Sequence, residues 1–221
     1  MKALRTTLRG DKLHIEGYPD CVAVKRIDSD DTRQLRDMTL HQGDLRFCLS
    51  VLNELVQINS RHDSIVASAL WMAAIASFYK CFGTSKARAR LSAEEILSGQ
   101  TYHLSVYEYF KKLRDKHFVH DENAYTQVVA GVAINDARCA NKIADVLTSV
   151  VVKSTVDDEH IIPFATTVNF VLEWVDAIVE ALHDKIAAHC ELMSRIELLA
   201  LPDLAFMAAG GDDVGTNRTG T

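Results

Sequence analysis

Hydrophobic positions in this chain recur mainly three and four residues apart, the spacing that puts them on one face of a helix. From Gly43 onward, Leu45, Cys48, Leu49, Leu52, Leu55 and Val56 keep that spacing, which predicts a helix whose signal begins near Asp31. "NSRHD" breaks the pattern. A second helix is predicted from about 64 to 82, apolar nearly all round, as suits the centre of a bundle. It stops at "FGTSK", where Gly83 fits the left-handed residue beyond a helix end. "SAEE" (Ser92 to Glu95) reads as a capping box, with the serine on the third amide and the glutamate reaching back. After Gly99 a third helix runs from about Thr101 to about His120. Its apolar line is Val106, Phe110 and Leu113, with His117 next in register, and "DEN" ends it.

The period then changes. "AYTQVVAGVAI" and "LTSVVVKST" are β-branched runs joined by a polar link, which predicts two strands. Pro163 suits the first position of a long last helix. Its stripe is Phe164, Val168, Val171, Val175, Ile178, Leu182, Ile186, His189 and Met193. Such a helix spans about 45 Å at 1.5 Å per residue, enough to lie across a bundle and onto a partner. Residues 1–35 read as a lead-in with short β-prone pieces such as "CVAVKRI". Residues 36–205 read as the helical domain, with a β-like insert at about 124–156, and 206–221 as a flexible tail. The expected fold class is mainly α: a four-helix bundle with a small β-hairpin-like insert between helices three and four.

Composition changes this picture little, and charge changes it more. At 48% hydrophobic and 24% charged, the 221 residues suit one globular domain. The net charge of −6 argues against indiscriminate nucleic-acid binding. Residues 80–120, however, carry eight Lys/Arg against four acids, so this segment is +4 and the remainder −10. Five scattered cysteines with no CxxC pair point to reduced thiols and a cytoplasmic protein. "MKALRTTLRGDK" lacks the apolar stretch of a signal peptide, and "SIVASALWMAAIASFY" is shorter than a membrane span, so no membrane is expected. Trp71 and Trp174 are expected in the core. "GTSK" lacks the spacing of a phosphate-binding loop.

Candidate chemistry concentrates in "KKLRDKHFVHDEN". Its plainest reading is a helix end whose cations complement the dipole. A metal reading joins His117 and His120, three apart, with Asp121. It lacks HExxH or a second His/Cys cluster, and His183 and His189, six apart, share no close face, so no metal is expected. A third reading pairs a histidine that moves a proton with an arginine that grips a phosphate. Arg114 and His120 supply these types. On an ideal helix they differ by about 240° with a rise of about 9 Å, so they converge only if the helix loosens or two copies meet.

This segment, Arg114-Asp115-Lys116-His117-Phe118-Val119-His120, resembles the signature of the HEPN superfamily: an arginine, a polar residue, and a histidine a few positions on, in the third helix of a four-helix bundle. It is most similar to bacterial members tied to phage defence and toxin–antitoxin systems. The resemblance implies a metal-independent RNA endonuclease, a toxin or defence effector, that acts as a homodimer without cofactor. The RNA 2′-hydroxyl attacks the adjacent phosphorus, His120 moves protons, Arg114 clamps the phosphate and Asp115 orients one of them. Around them, Lys111, Lys112, Lys116, Lys86, Arg88 and Arg90, with Lys80, form a basic belt for the RNA backbone. Tyr102, Tyr107 and Tyr109 are candidates for stacking bases. A cognate antitoxin or regulatory protein is a further expected partner. The alternative is a catalytically silent helical bundle that binds a protein or nucleotide.

Overall fold

The computed structural model describes residues 6–9, 12–15, 18, 21–58, 61, 64–120, 124–204 and 211–215. The chain is mainly helical, with two small antiparallel hairpins among the described residues. Strands β1 (Thr6–Arg9) and β2 (Lys12–Ile15) pair within the expected lead-in. Helix α1 (Asp30–Val56) follows, then α2 (Ile65–Lys80), the short α3 (Ala93–Ile96) and α4 (Thr101–Leu113). A π-helical turn, Arg114–Val119, continues α4. Strands β3 (Thr126–Ile134) and β4 (Ile143–Val152) form the insert, and α5 (Asp158–Glu191) and α6 (Arg195–Ala200) complete the order. Of the predicted tail, residues 211–215 form a 3-10 turn, and 206–210 and 216–221 lie outside the described residues, as does Asp121.

Two compact units emerge. The first comprises Met1–Leu40, Ser85–Ala89 and Asp176–Thr221. Within it the β-prone "CVAVKRI" forms no strand of its own. It is tied instead to the stretch after α6: Arg26 N–H donates to the Pro202 carbonyl at 2.8 Å, Leu204 N–H to that of Val24 at 3.1 Å, and Lys25 pairs with Asp203 at 2.7 Å. Ser29 caps α1, its hydroxyl accepting from Thr32 N–H at 3.1 Å while its own N–H donates to the Thr32 hydroxyl at 3.0 Å.

The second unit, His41–Thr84 and Arg90–Val175, holds most of the core. Leu45, Cys48, Leu52 and Leu55 from α1 are buried, as the spacing predicts, with Trp71, Ile75, Phe78 and Tyr79 from α2 and Val106, Phe110 and Leu113 from α4. Phe164 of α5 lies edge-on to Trp71 at 5.5 Å and to Phe78 at 5.3 Å, and Phe110 is 4.7 Å away, so one aromatic cluster joins three helices. Cys48 is fully buried, and its S–H donates to the Ala74 carbonyl at 3.2 Å.

Several boundaries differ from expectation for local reasons. Helix α2 is not buried all round. Ile65, Val66 and Met72 are exposed, because only the stripe through Ala67, Trp71, Ala74, Phe78 faces the core. Gly83 is not left-handed. Cys81 closes α2 in right-handed geometry, its N–H reaching Phe78 and Tyr79 carbonyls, and the positive-φ glycine is Gly99 (φ 73°), where α3 turns into α4. Pro163 lies inside α5 rather than opening it, since Asp157 caps the helix six residues earlier by accepting from His160 N–H at 3.0 Å. Trp174 is half-buried, whereas Trp71 is core. Helix α5 is long and apolar enough to cross a membrane by length and composition, yet Ile161, Phe164, Val168, Val171 and Val175 on it are buried within the protein.

Candidate functional site

Tyr107, Lys111 and Arg114 fall at i, i+4 and i+7 and so share a face of α4. A second wall comes from the segment before α3. Leu91 N–H donates to the Cys81 carbonyl at 2.9 Å, and Leu91 and Ala93 are buried, which fixes Arg90, Ser92 and Glu94 beside the end of α2. Between these walls is a cleft of about 180 Å³, lined by Arg90, Lys111, Arg114, Ser92 and Glu94 over a floor that includes Tyr79. Three cations and one carboxylate give it a net positive lining.

Arg114 is held from two sides. Its guanidinium lies over the Tyr79 ring, 5.0 Å from the centroid, and its Nε and Nη2 both meet Oδ1 of Asp115, at 2.7 and 2.5 Å. One edge of the fork is thus committed and the rest of its N–H groups remain for a ligand. Tyr79 is itself fixed, because its buried hydroxyl donates to the Tyr107 carbonyl. Burial, and then the neighbouring Tyr107, push the Tyr79 hydroxyl well above the ordinary tyrosine range. Lys111 lies over the Tyr107 ring at 5.9 Å. The Glu94 carboxyl is held below its usual range by its own backbone N–H and by the Ser92 hydroxyl, with Arg90 and Lys111 adding to the effect. Ser92 caps α3, accepting from Glu95 N–H at 3.2 Å, and its hydroxyl meets Glu94 rather than Glu95.

Of the expected set, the cleft gathers Arg90, Lys111 and Arg114, with Asp115 attached through its ion pair. His120, Lys112 and Lys116 do not line it, and all three are exposed. Lys86 and Arg88 belong to the other unit. Lys80 pairs with Asp44 at 3.0 Å. The helix does loosen at the motif, beginning at Arg114. His120 N–H donates to the Asp115 carbonyl at 3.2 Å, an i→i+5 bond that stacks His120 one wide turn beyond Asp115. The ring of His117 is half-buried against Phe118 and Tyr125, at 5.0 and 5.5 Å, so it packs as its register suggests. It also lines a second cavity of about 360 Å³ with Trp71, Met72, Lys153 and Thr155.

One constellation escapes a reading of the sequence. Asp157 Oδ1 meets His160 Nδ1 at 2.5 Å, His160 Nε2 meets the Tyr109 hydroxyl at 3.0 Å, and that hydroxyl meets the Tyr125 hydroxyl at 3.2 Å. The chain ties the start of α5 to α4 and to the base of the insert. Burial and the Tyr125 hydrogen bond raise the Tyr109 hydroxyl above its ordinary range, so it stays protonated. The i,i+3 spacing of Asp157 and His160 is visible in the sequence, but their tyrosine partners are not. Of the three tyrosines considered for stacking, Tyr107 is buried, Tyr109 is engaged here, and Tyr102 is 53% exposed. Comparison with protein-family models, with curated proteins and with solved structures found no match.

Proposed function

We propose that the cleft of Arg90, Lys111 and Arg114 binds an RNA backbone, and that the chain is a metal-independent RNA endonuclease of the HEPN type acting as a homodimer. In this reading α1, α2, α4 and α5 make the four-helix bundle, and the protein is a toxin or phage-defence effector. The observation that carries it is the convergence of three cations on one cleft at the Arg114–His120 motif. Arg114, with its plane on Tyr79 and one edge on Asp115, presents its other N–H groups in a fixed direction. That suits the extra negative charge on a five-coordinate phosphorus. As the 2′-oxygen bonds to phosphorus, its proton passes to a base and the bond to the 5′-oxygen breaks. A proton delivered to that oxygen leaves a 2′,3′-cyclic phosphate and a 5′-hydroxyl end. His120 is the proton carrier. Because His120 lies outside the cleft of its own chain, the histidine of a second copy completes the site across a two-fold axis.

A second reading, binding without cleavage, draws on the same histidine. His120 is exposed and lies outside the cleft that holds the three cations, so those cations can hold a phosphate backbone without it. Incubating the protein with unstructured RNA in EDTA separates the two. The nuclease reading expects cleavage, with Arg114→Ala and His120→Ala each lowering the rate at least about 100-fold at unchanged helicity. Intact RNA would refute it. Retained RNA binding that weakens in Arg114→Ala would then leave the binding reading standing.

A further inference from the structure

The cavity of about 360 Å³ that His117 lines lies within the second unit and is separate from the cation cleft. Three pieces of chain build it: α2, the π-helical turn and the stretch after β4. Thr155 Oγ1 accepts from the Trp71 indole N–H at 3.0 Å, and Lys153 N–H donates to the Tyr125 carbonyl at 2.8 Å, so that last stretch is fixed at both ends. Trp71 and Thr155 are buried whereas Met72 and Lys153 are exposed, so the cavity runs from the surface towards the core. Nδ1 of His117 is shielded from solvent and has no hydrogen-bond partner among the described residues. A buried ring nitrogen in that position is costly unless a bound group supplies the bond. Lys153 brings a cation close by. Its Nζ lies 4.9 Å from the centroid of the Tyr125 ring, the same ring that His117 meets edge-on at 5.5 Å. None of the described lining residues is acidic.

We propose that this cavity binds a small aromatic carboxylate, with its ring against Trp71, Phe118 and Met72 and its carboxylate on His117 Nδ1–H and the Lys153 ammonium. A lining with a cation and no acid selects an anion. The two donors match the two oxygens of a carboxylate, and the lining holds no arginine fork of the kind that favours phosphate. Edge-to-face packing on Trp71 and Phe118 and the thioether of Met72 favour an aromatic body over a saturated one. A volume of about 360 Å³ is at the low end for small-molecule pockets, which suits one ring rather than a peptide or a stretch of RNA. Binding here does not rest on RNA cleavage, since Arg90, Lys111, Arg114 and His120 do not line this cavity and no RNA enters the test.

Calorimetry with benzoate on the full chain should give a Kd below about 1 mM. Benzamide, of the same shape but uncharged, should bind at least about 10-fold more weakly. Cyclohexanecarboxylate, charged but saturated, should bind at least about 3-fold more weakly. Inorganic phosphate should not compete. Lys153→Met, at an exposed position, and His117→Phe, which keeps a ring against Tyr125, should each weaken benzoate about 10-fold at unchanged circular dichroism. The His117 ring signal in NMR, identified by its loss in His117→Phe, should move as benzoate is added. Weaker binding of benzoate to wild type, equal binding of benzamide or cyclohexanecarboxylate, displacement by phosphate, or a His117 signal that stays in place would each overturn the proposal. So would full affinity in Lys153→Met, which decides the matter even if His117→Phe does not fold.

Discussion

Tyr79 shows how one buried side chain sets the direction of a charged one. Its ring supports the Arg114 guanidinium and its hydroxyl is anchored to the Tyr107 carbonyl, so the cation's orientation is fixed from below by a core residue. The same burial makes Tyr79 a source of pH dependence. Its hydroxyl pKa is raised on folding, so its contribution is fully present below the ordinary value of 10.0 and is lost as pH rises past it. There the unfolded chain ionises and the folded chain does not, at about 1.4 kcal/mol per pH unit. Urea titrations should therefore find Tyr79→Phe less stable than wild type at neutral pH, by about 1 kcal/mol for the lost buried hydrogen bond to the Tyr107 carbonyl. Above pH 10.0 the variant should lose stability less steeply, and parallel alkaline slopes would disprove the assignment. At this scale Arg114 and Lys111 were legible, because helical spacing alone aligns them. Arg90 was legible as one of a cluster of cations, though not the backbone bond from Leu91 to Cys81 that sets its place; Tyr79, 35 positions before Arg114, was not legible, since nothing local encodes contacts across the core.

Among the elements, legibility follows how local each signal is. Helices α1, α2, α4 and α5 announce themselves through apolar spacing, and strands β3 and β4 through β-branched runs. Ends are less legible. The serine of "SAEE" caps as expected, yet the complete reciprocal box belongs to Ser194 and Glu197 on α6, a helix too short to show a period. Gly83 has the composition of a left-handed stop, but Cys81 ends the helix first. Pro163 lies inside α5 because Asp157 begins the helix earlier, so its ring removes one i→i−4 hydrogen bond from the helix. That cap carries a prediction. Asp157→Ala removes both the acceptor for His160 N–H and the carboxylate on the His160 ring, so thermal or urea unfolding should show a loss of about 1–2 kcal/mol. Asp157→Asn, which keeps an acceptor, should recover most of it. A loss below about 0.3 kcal/mol would show that the Asp157–His160–Tyr109 chain adds little to holding α5.

For the molecule as a whole, a single aromatic cluster in the second unit and an uncovered β-hairpin represent opposite extremes of burial. The mainly helical class could be read from spacing. The exposure of the hairpin could not, because β-branched runs look the same whether a core, a partner or water lies beside them. The cysteines are distributed along the same gradient. Cys48 is fully buried, and burial raises its thiol far above the ordinary range, whereas Cys21 and Cys139 are exposed, the latter in the link between β3 and β4. A thiol reagent should therefore act as a clock. Cys21 and Cys139 should label within the mixing time, and Cys48 only as fast as the core opens. Mass spectrometry of timed samples should show the Cys48 rate rising with urea in step with global unfolding. Prompt Cys48 labelling in native buffer would mean that its helix pair opens on its own. A buried sulfur with no chemical task thus gives this protein an internal gauge of how often its interior meets solvent.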